Sequence, residues 1–531
     1  MTAEPVLLQG GQIWPGTGTS PFTGSVLMSG DQLVAVGKDE DVSNHPHAGK
    51  ARKLDIKGKA VLPAFTDSHI HLQTYARQSY GVDLSGCTSM VEVLQEISQY
   101  SKDKAPDDWI YGYNFNENNW DKKEMPTRSD LDSLGIPNPV LLLRICLHLY
   151  VANSRAIGVA GEESLASNEM AGRGPEGNLN GIFPESSGLP LVRAFEEFLS
   201  GCSGFGETLA NVYEELLGFG ISEIHTIGAA SLGLNENFDF YCDLRSRGRL
   251  PVRTVVYLDE FPSEKVACHQ GDDWLKYGGL KIFLDGSLGP RTAALTSPYS
   301  DSNTRGVLIH TEEDLRAVYE KAENDNLQIQ SHAIGDQAID RLLDVLEWTE
   351  SKPSKRRTYP HKISHIQICR PDQIERVSKL NVVCDVQPNS IASDARMSVP
   401  RLGEERLNWA FPFRSLMGKG LTLLGSSDCP VEPISPFLAL RAAVTRKDLS
   451  GFPGSGWNAS ERLTLEQALS LYTCNPPKAV GKEGRKGLLA PGFLADIVVL
   501  DRDIFHVEAE SYPEIRVLYT IVGGEIAFQG E

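Results

Sequence analysis

The sequence predicts an α/β protein: a TIM-like (β/α)8 barrel, with a small β-sandwich domain built from both termini and a large insertion after the first barrel strand. Three observations predict it. Short apolar strands alternate with amphipathic helical segments through the middle of the 531-residue chain, as in parallel α/β proteins. Both ends instead have the alternation of β-strands. One connection between predicted barrel strands is far longer than the usual few residues.

The two ends of the chain have the period-2 pattern of strands. The first part contains the runs "VLLQGGQIW", "SVLMSGDQLVAVG" and "RKLDIKGKAVLPAF", and their turn signal at Gly30-Asp31 favours an antiparallel sheet. The last part contains "ADIVVLD" and "VLYTIVGGEIAFQG", and the second of these predicts a hairpin that turns at Gly523-Gly524. We therefore expect residues 1–60 and 480–531 to form one composite β-sandwich domain.

The predicted barrel occupies residues 61–479 and contains eight apolar strand runs. They are "AFTDSHIH", "ISEIHTIG", "PVRTVVYLD", "GLKIFLDG", "LQIQSHAIG", "HKISHIQ", "VVCDVQPN" and "LTLLGSSD". A ninth run, "VLLLRICLHLY", is surplus, and we assign it to an insertion of roughly 73–205 between the first two strands. The insertion also carries "WIYGYNFNENNW". Its aromatic and asparagine side chains predict a lid over the barrel mouth, although packing inside an added subdomain explains them equally well.

The composition indicates a globular protein with an acidic surface. Of its residues, 41% are hydrophobic, and 51 basic against 70 acidic residues give a net charge of −19. Nucleic acid and anionic membranes bind basic faces, so this balance argues against both as partners, although it does not identify a substrate; a homodimer would be unsurprising for such a barrel. The start lacks the pattern of a secretory signal, and no run approaches the ~18 apolar residues of a membrane span. Nine scattered cysteines without a CxxC pair predict reduced thiols and a cytoplasmic protein.

Several of the predicted barrel strands have polar side chains within them or at their ends. His69 and His71 end the first strand, and residues two apart face the same side. The others are Lys281, His332, His365 and Asp428. Catalytic groups of such barrels sit at the carboxyl ends of the strands, and imidazole and carboxylate are usual ligands of divalent cations. A lone histidine here is more often structural, and Asp428 alone could cap a helix, but their shared position favours a metal site that leaves room for water.

The chain resembles the amidohydrolase superfamily and, within it, amidohydrolase family 3, the YtcJ-like metal-dependent hydrolases related to N-substituted formamide deformylases. The matching stretches cover nearly the whole chain in the family's order. They include "VLPAFTDSHIHL", "MPTRSDLD", "LKIFLDGSLGPRTAAL", "SHAIGDQAID", "VVCDVQPNS", "RLGEERLNWAFPFRSL", "GSSDCPVEPISP", "LTLEQALSLYT" and "GLLAPGFLADIVVLDRD".

The resemblance implies a binuclear metal centre. His69 and His71 would hold one ion with Asp428, and His332 and His365 would hold the second. Lys281 matches a position where many relatives carry a carboxylated lysine that bridges the ions; the alternative is an unmodified lysine and one ion. Zinc is the default metal, and manganese, iron or nickel suit the same ligands.

Two stretches depart from the pattern of relatives. Ser364 stands where a glutamate usually precedes the histidine that matches His365, and Cys146-Leu147-His148 stands where many relatives carry Asp-Gly-His. Both changes leave the metal ligands in place. The second falls where the insertion should approach the pocket, so the substrate of relatives does not transfer directly.

The implied activity is hydrolysis of a non-peptide, amide-type carbon–nitrogen bond of a small molecule by a metal-activated hydroxide. Asp428 would carry the proton to the leaving nitrogen. Candidates for substrate binding are His148, His225 and Arg291, for which structural roles are equally open.

Three alternatives to this activity remain at the level of the sequence. A deaminase usually carries a glutamate three residues after the histidine that matches His332, where this chain has Gly335. A lactonase or esterase would use the same metal site. A catalytically silent binding protein is less expected, because no metal ligand is missing.

Overall fold

The computed structural model describes residues 4–16, 18–117, 120–145, 149–201, 203–228, 238–262, 267–352 and 358–530. The chain divides into two compact units. The first contains residues 1–71, 213–228 and 237–531, and the second contains residues 72–212 and 229–236. Among the described residues, no helix combines the length and the apolar character that a transmembrane segment requires.

Strands from both termini form one eight-stranded sheet in the first unit. Its members are β1 (Val6–Ile13), β2 (Phe22–Ser29), β3 (Gln32–Gly37), β4 (Arg52–Asp55), β5 (Ala60–Pro63), β19 (Ile497–Leu500), β20 (Val517–Val522) and β21 (Glu525–Gln529). The strand order is β21-β20-β19-β5-β1-β2-β3, and β4 pairs with β1. Aliphatic side chains from both ends of the chain, such as Leu8, Val26, Ile497 and Ile521, pack in one cluster. The two-layered sandwich predicted for these strands stays a prediction.

Two details of this sheet concern the predicted N-terminal strands. The run "RKLDIKGKAVLPAF" contains two strands because the chain turns at Lys57-Gly58, where Gly58 has a φ of 73°. Both β4 and β5 run parallel to β1, so the expectation of a wholly antiparallel N-terminal sheet is wrong.

The predicted turn at Gly523-Gly524 does join β20 to β21. Glycine is required there, since a Cβ on Gly524 would lie 1.9 Å from the carbonyl oxygen of Gly30.

The second sheet of the first unit is a nearly closed parallel barrel. Its strands are β6 (Phe65–Ile70), β12 (Ile221–Ile227), β13 (Arg253–Leu258), β14 (Leu275–Phe283), β15 (Ile329–Ala333), β16 (His361–His365), β17 (Val382–Val386) and β18 (Leu423–Gly425). They pair in chain order, each parallel to the next. These are the eight strands that the sequence predicts, so the predicted barrel is confirmed.

Backbone hydrogen bonds join the two ends of the barrel sheet. Strand β18 contacts β6. Beyond these strands, the N–H of Asp428 donates to the carbonyl of His69 at 2.7 Å, and the N–H of His71 donates to the carbonyl of Cys429 at 2.8 Å. The segment that carries Asp428 is therefore fixed against the segment that carries the two histidines.

Helices separate most of the barrel strands, as alternating α/β segments predict. The helices of the first unit are α1 (Asp39–Ser43), α9 (Phe238–Ser246), α10 (Glu312–Asn324), α11 (Asp336–Ser351), α12 (Pro371–Val377), α13 (Asn389–Leu407), α14 (Phe413–Gly418), α15 (Pro436–Thr445), α16 (Leu465–Tyr472) and α17 (Pro476–Ala479). Helix α11 is typical: Ile339, Leu342, Leu343 and Leu346 are buried at a spacing of three to four residues, which places them on one face of the helix.

The second unit contains a five-stranded sheet with the order β11-β10-β9-β8-β7. Its strands are β7 (Val82–Asp83), β8 (Ile110–Phe115), β9 (Val140–Arg144), β10 (Leu149–Ala152) and β11 (Ile182–Pro184). The surplus run "VLLLRICLHLY" therefore supplies β9 of this sheet. Helices α2 to α7 cover Leu72–Tyr80, Met90–Ser101, Arg128–Asp132, Ser154–Ala160, Glu162–Ala166 and Leu189–Gly201. Helix α8 (Ser203–Gly218) begins among the residues of this unit and ends among those of the first.

Aromatic side chains form much of the core of the second unit. Tyr111 stacks on Phe195 with 4.8 Å between ring centroids, and Phe115 lies 6.2 Å from Trp120. Trp109, Tyr111, Phe115 and Trp120 are all buried. These contacts favour the packing interpretation of "WIYGYNFNENNW", and the lid stays a prediction.

Candidate metal centre

The side chains of His69, His365 and Asp428 meet at the carboxyl ends of the barrel strands. One nitrogen or oxygen atom from each lies within 4.8 Å of the other two. The Nε2 atom of His69 is 3.2 Å from Oδ1 of Asp428, and the rings of His69 and His365 are 5.3 Å apart. Strands β6, β16 and β18 deliver these residues together because parallel barrel strands end at the same rim. Two imidazoles and a carboxylate are a suitable donor set for a divalent cation.

Three further residues predicted as ligands lie beside this cluster. Nε2 of His71 is 3.2 Å from Oδ1 of Asp428, the ring of His332 is 4.4 Å from that of His365, and Nζ of Lys281 is 3.4 Å from Nε2 of His69. The structure thus brings the predicted metal-site residues to one end of the barrel. Their individual roles as ligands stay a prediction.

The Nδ1 atoms of three of these histidines face acceptor oxygens. Nδ1 of His71 lies 2.7 Å from the carbonyl oxygen of Ile227, and Nδ1 of His365 lies 2.8 Å from Oε1 of Gln387. Nδ1 of His69 lies 3.2 Å from Oδ2 of Asp385. A proton on Nδ1 satisfies each contact, and this tautomer leaves the Nε2 lone pair for a cation.

Asp385, which the sequence analysis did not single out, connects the groups behind the metal-site histidines. Its carboxylate accepts hydrogen bonds from Gln330 at 2.9 Å and from Ser426 at 2.6 Å. Gln387 donates to Ser426 at 2.8 Å. His69 and His365 are therefore held by one continuous buried network. The available signal was a carboxylate in the otherwise apolar run "VVCDV", because a charge in a buried strand requires partners.

The electrostatic environment keeps the candidate ligands in metal-binding forms. Burial and the charge of Lys281 hold the pKa of His69 well below its ordinary value, so this imidazole is neutral. Burial alone would raise the pKa of Asp428, but the close contact with His71 and the charge of Lys281 help to lower it overall. Burial lowers the pKa of Lys281 to about 7, although Asp428 and Asp385 oppose the shift.

This donor set fits the cation that the family resemblance implies. Neutral imidazoles and an ionised carboxylate donate electron pairs, whereas an ammonium group would repel a cation. Lys281 fits only without its proton, and burial lowers its pKa to about 7. Burial also raises the pKa of Asp67 to about 7 despite its hydrogen bonds from Ser427 and from the backbone of His69.

The residues predicted to bind substrate have other partners or are not described. His225 is fully buried, with Nδ1 3.4 Å from Nζ of Lys362 and Nε2 3.4 Å from Oε1 of Glu223. Arg291 forms two hydrogen bonds to Asp301, at 3.0 and 2.9 Å. His148, with the rest of the Cys146-Leu147-His148 departure, lies outside the described residues. The substrate roles of all three stay predictions.

The other departure from the family pattern lies inside the barrel. Ser364 is fully buried on β16. Its hydroxyl oxygen accepts a hydrogen bond from Nε2 of Gln330 at 2.9 Å, and the same amide donates to Asp385. The serine that replaces the usual glutamate is therefore part of the network behind His69.

Comparisons with known proteins give consistent results over nearly the whole chain. Residues 52–528 match the family described as "Amidohydrolase family". The protein YtcJ of Bacillus subtilis (strain 168) is 30% identical over an alignment of 541 residues, which covers 97% of this chain and 99% of that protein. The N-substituted formamide deformylase of Arthrobacter pascens is 27% identical, with 95% of each chain covered. An uncharacterized metal-dependent hydrolase from Pyrococcus horikoshii OT3 is similar in structure, with a TM-score of 0.78, 30% identity, and coverage of 95% of this chain and 99% of that one.

Proposed function

Because the chain belongs to the amidohydrolase family, we propose that it hydrolyses a non-peptide, amide-type carbon–nitrogen bond of a small molecule. The observation that carries the proposal is the convergence of His69, His365 and Asp428 within 4.8 Å. The name of one relative, N-substituted formamide deformylase, supports a carbon–nitrogen bond as the target.

The proposal includes one or two divalent cations, with zinc as the default. His69, His71 and Asp428 would hold one ion, and His332 and His365 would hold a second, with a carboxylated Lys281 between them. A bound cation supplies Lewis-acid polarisation of the substrate carbonyl and lowers the pKa of water. The buried, neutral state of His69 supports this assignment.

Asp428 would transfer the proton in this reaction. Hydrolysis forms a bond between the water oxygen and the carbonyl carbon and breaks the bond from that carbon to nitrogen. One water proton ends on the nitrogen, which leaves as an amine. The carboxylate of Asp428 would accept this proton and deliver it, and its Oδ1 lies 3.2 Å from Nε2 of both His69 and His71.

The deaminase alternative would require a glutamate at the position that Gly335 occupies, and the structure disfavours a side chain there. A Cβ at Gly335 would lie 2.0 Å from the carbonyl oxygen of Ala294, so no side chain fits without a shift of the backbone. The adjacent carboxylate of Asp336 is fully buried and accepts hydrogen bonds from Thr296 and Arg370. Neither position supplies a proton donor that faces a substrate.

The test is a substrate panel assayed with metal-replete protein. The panel contains N-formyl and N-acyl amines, lactones and amino-substituted heterocycles, and the assays separate released amine, acid and ammonia. We expect amine and acid from the amides, no activity after chelation, and recovery on addition of Zn²⁺. His69→Ala should be inactive, whereas His506→Ala should be active, because His506 is exposed. Release of ammonia alone, turnover of lactones alone, or no turnover by metal-loaded protein would contradict the proposal.

A further inference from the structure

A cavity of about 350 Å³ lies at the same rim of the barrel as Asp428. Its walls come from the start of α13, which follows β17, and from the segment between β18 and α15. The residues that matter for its chemistry are Asn389, Ala392, Glu432, Pro433, Leu438 and Leu449. For comparison, a buried apolar cavity of about 150 Å³ binds benzene, so this cavity has room for roughly two rings or a six-carbon chain.

The cavity is built from the two segments that leave the candidate metal centre. Asn389 lies two residues after Gln387, whose side chain contacts His365. Glu432 lies four residues after Asp428. The two segments are joined at the cavity itself, since Nδ2 of Asn389 donates to the carbonyl of Pro433 at 3.0 Å. The cavity and the candidate metal centre are therefore built on the same two connecting segments of the barrel.

The lining of the cavity is apolar on most sides. Ala392, Pro433 and Leu438 contribute aliphatic surface, and Leu449 at the rim is 69% exposed. The exposed side chain of Leu449 provides aliphatic surface at the cavity that an apolar ligand would remove from water.

Glu432 is a carboxylate of this cavity with acceptor capacity to spare. Its carboxylate accepts a hydrogen bond from Oγ of Ser393, which leaves further lone pairs on its two oxygens. No basic side chain of the described residues forms an ion pair with it. Burial raises the pKa of Glu432 to about 7 despite the Ser393 hydrogen bond, so a nearby ammonium group would favour its charged form.

The other two charged groups of the lining have partners of different kinds. The guanidinium of Arg441 donates to the carbonyls of Lys447 and Asp448 at 3.1 and 2.9 Å, and these acceptors are neutral. The carboxylate of Asp448 forms an ion pair with Arg396 at 2.9 Å. Among the described residues, Glu432 is therefore the carboxylate of the lining without an ion-pair partner, and it is the group that suits an amine.

We propose that this cavity binds the nitrogen-bearing half of the substrate, an apolar amine portion whose nitrogen-bound hydrogen donates to Glu432. The inference rests on the proposed hydrolysis of a carbon–nitrogen bond and extends it, because it names the side of that bond that determines specificity. Glu432 is a specificity-determining residue in this account, and the aliphatic walls select the size of the nitrogen substituent.

The experiment measures binding of free amines to metal-replete protein by isothermal titration calorimetry, with methylamine, butylamine and hexylamine as probes and hexanoate as the opposite charge. Affinity should rise with chain length, and hexanoate should not compete with hexylamine. Glu432→Gln should weaken hexylamine binding about tenfold, because it removes a charge-assisted hydrogen bond. The matched control is Glu320→Gln, an exposed carboxylate paired with Lys352 at 2.6 Å, which should leave binding unchanged.

A second variant keeps the test decisive if Glu432→Gln does not fold. Leu449→Ala changes an exposed side chain, and it should weaken hexylamine about threefold while leaving methylamine binding and the melting temperature unchanged. Absence of amine binding, or hexylamine binding unaltered by both variants, overturns the proposal.

The binding results separate this inference from the proposed function. Amine binding that depends on Glu432, in a protein that hydrolyses no amide, would refute the hydrolysis and keep the amine site. Amide hydrolysis with kcat/KM unchanged in both variants would refute the amine site and keep the hydrolysis.

Discussion

Oε1 of Gln387 lies 2.8 Å from Nδ1 of His365, while the amide nitrogen of the same side chain donates to Ser426 at 2.8 Å. One end of the amide accepts and the other donates, so the side chain has one satisfied orientation. It directs Nε2 of His365 toward the candidate metal centre. Ser426 donates onward to Asp385, which faces Nδ1 of His69, and the orientation of the two imidazoles is therefore coupled.

Replacement of Gln387 by methionine tests this coupling. The substitution keeps the length of the side chain but removes both hydrogen-bonding atoms. We expect the affinity for Zn²⁺ to fall by about 10- to 100-fold, because ligand-orienting partners have effects of that size. The measurement is competition with a chromophoric chelator.

The control for this prediction is Gln387→Glu, which retains an oxygen acceptor for Nδ1 of His365. We expect its affinity for Zn²⁺ to stay within about threefold of the natural protein. An equal loss in both variants would show that the acceptor oxygen of Gln387 does not position His365.

The barrel and its rim residues could be predicted because their signal is local. Each strand is a short apolar run, and His69, His332 and His365 lie at or next to the ends of such runs. The parallel pairing of β4 and β5 with β1 could not be predicted, because it depends on contacts between segments about fifty residues apart. Strand alternation is the same for either direction of pairing.

The hydrogen-bond network behind the histidines could not be predicted from the sequence pattern either. Asp385 and Gln387 belong to a recognisable strand run, but their partner Gln330 comes from β15 and their partner Ser426 directly follows β18. Those contacts follow from the register of the barrel, which sequence alternation alone does not define.

Metal binding should depend on pH through Lys281. Its pKa is lowered by burial to about 7, so below that pH an ammonium lies 3.4 Å from Nε2 of His69 and opposes a bound cation. We expect the affinity of the natural protein for Zn²⁺ to fall from about pH 8 to about pH 6. In Lys281→Met, which keeps the aliphatic stem without the amine, the fall over this range should be shallower.

Lys281→Met retains the other titrating groups, such as Asp385, whose pKa burial raises to about 6 although the charges of Lys362 and Lys281 oppose the shift. Equilibrium dialysis at several pH values, followed by metal analysis, provides the measurement. Added bicarbonate should increase the metal content of the natural protein and not that of the variant. Identical pH profiles for the two proteins would show that Lys281 does not cause the pH dependence of metal binding.

Asp428→Asn should separate proton transfer from the rest of the reaction. Asparagine has nearly the same shape but does not accept a proton, so we expect kcat for an amide substrate to fall by about 10²- to 10⁴-fold. Metal content must be measured in the same samples, because Asp428 is also a candidate ligand. Asp243→Asn, an exposed carboxylate on α9, is the control. Turnover that persists in Asp428→Asn with metal bound would show that another group carries the proton.

The buried pair of Arg253 and Asp496 should stabilise the first unit, because it links barrel strand β13 to the segment that leads into β19. Two hydrogen bonds of 2.8 and 3.0 Å join the side chains, and Gly523 donates a backbone hydrogen bond to the same carboxylate at 2.9 Å. Asp496→Asn leaves the guanidinium buried without its counter-charge, so we expect the free energy of unfolding to fall by about 3–5 kcal/mol. Asp243→Asn disrupts an exposed pair with Arg247 and should cost about 0.5 kcal/mol or less.

The same pair predicts a pH dependence that urea denaturation can measure. Burial raises the pKa of Asp496, but the charges of Arg253 and Lys486 and the hydrogen bonds outweigh it and lower the pKa overall. A carboxyl whose pKa is lower in the folded state adds stability above its unfolded pKa, and this stability is lost as the pH falls through the folded value. The difference between the natural protein and Asp496→Asn should therefore be full at neutral pH and shrink below about pH 4. A difference that stays constant down to acid pH would mean that packing, rather than the charge of Asp496, accounts for the loss.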